Sequence, residues 1–199
     1  MTKHRSPDER AEQILAAARQ CFLEKGYFAT RMDEIARESG LSKGGIYFHF
    51  DSKKDIFRSL VEREYENAME FIEGVIDAAE SDIGAIINDV GRHFTERFAS
   101  TDAPRFMAII AEMALRDEEI REMLLQLQQN YIDRLAEVLS EGMDKGQLKD
   151  VDPESAAILM KAIIDGLQAG YGIGYDPDID RLVQTSMRVL GTGILEEDE

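Results

Sequence analysis

Residues 30–57 read TRMDEIARESGLSKGGIYFHFDSKKDIF, and the punctuation of this stretch decides the fold. Thr30 is suited to N-cap a short helix, with Asp33 at its third position accepting back in a capping box and favouring the helix dipole. Met32, Ile35 and Ala36 share one face of that helix. Gly40, within Glu38–Leu41, can take the left-handed conformation that ends a helix. Ser42 then caps a second helix whose inward residues are Ile46 and Phe50, leaving Lys43, Gly45, Tyr47, Phe48 and His49 outward. Helix, glycine turn and helix together form the helix-turn-helix pattern.

The outward set carries the chemistry. Lys43, the Tyr47 phenol, His49 and Lys53 are a set of donors suited to one phosphate backbone. Gly44 and Gly45 remove bulk where a helix end would enter a groove, bringing backbone or Lys43 near base edges. Each glycine costs a helix about 1 kcal/mol relative to alanine, so core packing through Ile46 and Phe50 must hold it. The bland alternative is a helical hairpin with an aromatic core.

The run T-x-x-x-x-I-A-x-x-x-G-L-S-K-G-G-I-Y-F-H-F-x-S-K-x-x-I, about thirty residues from the N-terminus, resembles the TetR family of transcriptional regulators. The close resemblance spans residues 8–60. It implies an all-α homodimer with an N-terminal three-helix DNA-binding domain and a divergent C-terminal ligand-binding and dimerisation domain. By the same resemblance Lys43, Gly44, Gly45 and Phe48 form the base-reading surface, and Tyr47, His49, Lys53 and Thr30 contact phosphate. Arg31 and Ser42 complete the expected DNA-contacting set. Asp33 and Glu34 depart from the family pattern: they repel phosphate unless Arg31 and Arg37 compensate.

The net charge of −17 opposes nucleic-acid binding taken as a whole, but it is unevenly distributed. Residues 1–60 hold 11 Lys/Arg against 9 Asp/Glu, a net +2, and the remainder holds 12 against 31, a net −19. An acidic body repels DNA at long range, so local contacts must hold the complex and its salt dependence should report few phosphates. The 199 residues suffice for one large or two small domains, and their composition is that of a globular protein. Cys21, the single cysteine, excludes an intramolecular disulfide and a cysteine-based zinc cluster, and suits a reducing cytoplasm. No segment reads as a signal peptide or a membrane span.

Taken in order, the chain opens on a basic tail, Thr2–Ser6, that is either a disordered start or an arm to the minor groove. A first helix follows with the stripe Ala11, Ile14, Leu15, Ala18, Cys21 and Phe22, ending at Gly26. Ser52 caps a long helix from Lys53 to about Ala79, a plausible lever between domains 1–52 and 53–199. Ser81–Asp82 caps the next, over 83–99. Pro104 opens a very apolar one, and Asp117–Glu119 opens a long helix with the charge its dipole prefers. Residues 153–171 are apolar nearly all round, with Ala162, Gly166 and Gly170 four apart. With a last helix carrying Leu182, Ser186 and Met187, they would form a four-helix bundle across a two-fold axis; the alternative is a monomer core.

An apolar pocket for an effector is expected among Phe94, Phe98, Met107 and Tyr131, with His93, Glu112, Gln128 and Asp165 as polar candidates. An acyl derivative, a quaternary amine or a lipophilic toxicant would all suit it. Three scattered histidines, and no phosphate loop, nucleophile elbow or dinucleotide fingerprint, argue against an enzyme and against any metal or cofactor. The leading function is therefore a ligand-released repressor binding a palindromic duplex operator. A ligand-independent regulator or an activator shares the same DNA-binding residues, and a protein-interaction module is the third class.

Overall fold

The computed structural model describes residues 6–78 and 82–194. Among them the chain forms nine helices: α1 (Pro7–Ala29), α2 (Met32–Ser39), α3 (Lys43–Tyr47), α4 (Lys53–Ala78), α5 (Ile83–Ser100), α6 (Ala103–Ala114), α7 (Glu118–Asp144), α8 (Pro153–Gly172) and α9 (Ile179–Ile194). The expected arm residues Thr2–Arg5, and Ser81, lie outside the described residues.

Local hydrogen bonds set most of the boundaries. Ser6 and Glu9 form a reciprocal capping box on α1, with Pro7 in its first turn. Ser42 Oγ accepts from Gly45 N–H at 3.1 Å, and Ser52 Oγ from Asp55 N–H at 3.1 Å. Asp82 accepts from Ala85 N–H at 3.0 Å, and Asp117 from Ile120 N–H at 3.1 Å. Gly40 sits at φ 67°, where a side chain would be strained, and closes α2 by donating its N–H to the end of that helix.

One expected cap is corrected. Thr30 closes α1 rather than opening α2: it is buried, and its hydroxyl donates to Gly26 O at 2.8 Å and Cys21 O at 3.1 Å. Arg31 caps α2 instead, its N–H donating to Glu34 Oε2 at 2.9 Å. Glu34, not Asp33, is the acidic partner because Lys25 of α1 pairs with its other oxygen.

Contacts divide the chain into Met1–Glu66 with Phe106–Leu124, and Asn67–Arg105 with Leu125–Glu199. The first unit takes in the start of α4 because Phe57 lies edge-on to Phe22 and Tyr27, with ring centroids 5.7 and 5.0 Å away. Phe106 of α6 completes this cluster at 6.1 Å from Phe57. Lys54 of α4 pairs with Asp117 at 2.9 Å and Glu119 at 2.7 Å, fixing the start of α7 to the same unit.

The second unit packs α5 and parts of α4 and α7 with α8 and α9 around Ile72, Ile86, Phe94, Phe98, Leu135 and Leu139. Its α8 is apolar on two sides: Met160, Ile164 and Leu167 pack on this core, whereas Leu159, Ala162 and Ile163 are exposed. Two of its polar residues, Lys161 and Gln168, are buried and two turns apart. Lys161 Nζ bonds Asp165 at 2.6 Å and lies 5.8 Å from the centre of the Tyr131 ring.

Candidate nucleic-acid interface and effector cavity

The α3 helix is only five residues long and presents the residue types a groove requires. Ile46 is fully buried, which anchors the helix beside α2 and turns its other faces out. Phe48 is 80% exposed and Tyr47 44% exposed, large apolar areas that a monomeric surface rarely offers side by side. The His49 ring stands edge-on to Phe48 at 5.1 Å. Ser42, Lys43, Gly44 and Arg31 are also exposed, and Gly45 is half-buried. A Cβ on Gly44 would meet nothing within 4 Å, so its bareness serves no internal packing.

Two members of the expected DNA-contacting set are otherwise engaged. The buried Thr30 hydroxyl is spent on α1 carbonyls, as above. Lys53 Nζ donates to the carbonyls of Tyr27 and Thr30, each at 2.6 Å, and lies 4.3 Å from the centre of the Tyr27 ring. Burial pulls this ammonium below its ordinary pKa, so Lys53 acts chiefly as a clasp on the end of α1. Lys43 is paired with Asp33 of α2 at 2.8 Å, a contact that local sequence reasoning missed. Asp33 holds the Lys43 ammonium above its usual range.

In the second unit an apolar cavity lies between α5, α8 and α9, lined by Val90, Phe94, Phe98, Met160, Leu167 and Val183 among others. Of the expected pocket residues, Phe94 and Phe98 reach it, and His93, Met107, Glu112, Gln128, Tyr131 and Asp165 do not. Glu112 instead pairs with Arg116 at 3.2 Å, Asp165 with Lys161, and Tyr131 is core. Leu182 and Ser186, expected at a subunit interface, line the cavity. The Met187 side chain lies outside the described residues. Ala162 and Gly166 are exposed, while Gly170 is covered by the Tyr175 ring, 3.3 Å from where a Cβ would stand.

His93 stacks flat on Phe71 at 3.5 Å, and burial, aided by Arg97, pushes its pKa below the ordinary 6.5. The fold therefore favours neutral imidazole, and the stabilisation this gives is complete above pH 6.5 and lost as pH falls from there through the lowered folded value. Thermal melts at pH 7.5 and 5.5 should show a smaller drop for His93→Gln than for wild type.

Residues 14–60 match the family described as bacterial regulatory proteins, tetR family, and residues 93–192 match the C-terminal domain of BetI-type transcriptional repressors. The chain belongs to the TetR family. Membership makes it a DNA-binding transcriptional regulator and not an enzyme. Among TetR-family relatives it is 29% identical to the uncharacterized HTH-type transcriptional regulator YfiR of Bacillus subtilis, over 96% of this chain and 95% of that one. It is 26% identical to the regulator TtgR of Pseudomonas putida, over 95% and 94%. A choline-bound putative regulator from Saccharomonospora viridis shares the fold at a TM-score of 0.75 and 22% identity, over 96% of this chain and all of that one. Among the described residues, no helix is long and apolar enough to cross a membrane, and no cluster of three His, Cys, Asp or Glu is placed to hold a metal.

Proposed function

We propose that this TetR-family regulator is a cytoplasmic repressor, that it binds a palindromic operator as a homodimer, and that it leaves the operator when a small apolar or amphipathic molecule enters the cavity between α5, α8 and α9. The lining of that cavity carries the proposal. Among the described residues its polar lining members are Asn88, Thr95 and Ser186, with no charged side chain among them. A charge entering it would lose hydration without gaining a counter-ion, so the effector is neutral and mostly hydrocarbon or aromatic. A quaternary ammonium compound such as the choline in the S. viridis structure would find no carboxylate there.

The homodimer is supported by the outward face of α8. Leu159 is 66% exposed, with Ala162 and Gly166 on the same exposed side. Small residues within an apolar stripe permit close helix approach, and an isologous pairing would bury it twice over. Two α3 helices would then enter successive major grooves about 34–36 Å apart. The effector acts by binding one of two dimer geometries better than the other.

The test is selection of bound sequences from a random duplex library, with and without Tyr47→Ala. Wild type should enrich a palindrome and the variant should not. Tyr47→Ala should weaken binding to every sequence while leaving the salt slope nearly unchanged, because the phenol carries no charge and releases no counterion. No enrichment at any salt would overturn the reading. Retained binding by the variant would remove Tyr47 from the interface.

A further inference from the structure

The pairing of Lys43 with Asp33 is the feature of the DNA-facing surface that operator binding as derived above does not use. Lys43 is the first residue of α3, where the helix dipole disfavours a cation. Asp33, on the first turn of α2, places a carboxylate oxygen 2.8 Å from its ammonium, and both side chains are more than half exposed. An ion pair so open to water adds little to folding. Glu34, next to Asp33, is accounted for by the α2 cap and by Lys25. Asp33 makes no such hydrogen bond, and its role within the fold is limited to the α2 dipole. It is a negative charge on a surface that approaches polyanion, in a chain already at −17.

We propose that Asp33 is a specificity-determining residue that acts through Lys43, a reading that rests on α3 being the DNA-reading helix. On unrelated duplex, Asp33 retains the ammonium and adds its own repulsion, so Lys43 neutralises no phosphate and nonspecific binding stays weak. At the operator, a guanine offering O6 and N7 together competes for the ammonium by accepting it at two atoms, and Lys43 moves from Asp33 to the base edge. The carboxylate costs binding everywhere, but costs most where no base acceptor replaces it. Discrimination thus comes from weakening the wrong complexes as much as from strengthening the right one.

The experiment compares Asp33→Asn, Lys43→Ala and the double variant, measuring affinity for the selected operator and for an unrelated duplex across salt, with thermal melts as a folding control. For Asp33→Asn, affinity for unrelated duplex should rise about three- to tenfold and its salt slope should steepen by about 0.9, one added phosphate contact. Operator affinity should rise less, so the ratio between the two falls. In the Lys43→Ala background the same substitution should steepen the salt slope much less, because the released ammonium is missing and only Asp33's own repulsion is removed. Equal gains on both duplexes, or a slope steepened as much in the Lys43→Ala background as in wild type, would overturn the proposal. So would loss of operator affinity in Asp33→Asn with nonspecific binding unchanged, which would make Asp33 itself a base reader. A wild-type protein that binds no duplex would instead overturn the assignment of α3.

Discussion

Gly166→Glu should convert the proposed dimer to monomer and lower operator affinity at least a hundredfold, without unfolding the protomer. The asymmetry follows from the surroundings of this glycine. A Cβ at Gly166 would meet nothing within 4 Å, so the protomer has room for the new side chain, and exchanging glycine for a better helix former adds about 1 kcal/mol of helix stability. A second α8 pressed against the same stripe has no such room, and the two-fold would set two carboxylates against each other. The loss of operator affinity reflects two recognition helices no longer being joined. Sedimentation at micromolar concentration and titration of the selected operator check both halves. A Gly166→Glu protein that remains dimeric would move the interface off α8.

The second large effect falls on the first unit. Phe57→Ala should destabilise it by about 3–5 kcal/mol, the usual cost of emptying a buried phenylalanine site. Phe57 is fully buried and meets Phe22, Tyr27 and Phe106, which come from α1 and α6 and do not touch the cavity. The cavity left behind cannot collapse cheaply, because three rings that face Phe57 are each held by other packing. Calorimetry should show the loss, and DNA binding should fail at a lower temperature than in wild type. A change below about 1 kcal/mol would mean that this cluster is not the core it is described as.

The helix-turn-helix was legible because its determinants are local. Gly40, Ser42 and Ser52 act on backbone groups within a few residues, and their chemistry permits few alternatives. The same locality explains the error at Thr30. Thr30 is the better cap residue type and Asp33 stands at the matching position, but Lys25, nine residues before Glu34, favours the register one residue on. The engagement of Lys53 escaped local reading for a related reason, since its carbonyl partners lie 23 and 26 residues back. The cavity was the least legible part. Met160, Ile164 and Leu167 form a stripe in α8 that the sequence displays, but its all-round apolarity concealed which side met α5 and α9 and which side met water.

That ambiguity is also a problem for the chain itself. Burial of hydrocarbon is blind to rotation, and a rod greasy on every side gains nearly the same from any angle about its long axis. The orientation of α8 is therefore carried by its two buried exceptions. Lys161 must keep its Asp165 partner and its place over Tyr131, and Gln168, two turns on, must keep its own buried seat. Like the notches of a key, they hold little of the weight and set which way it turns.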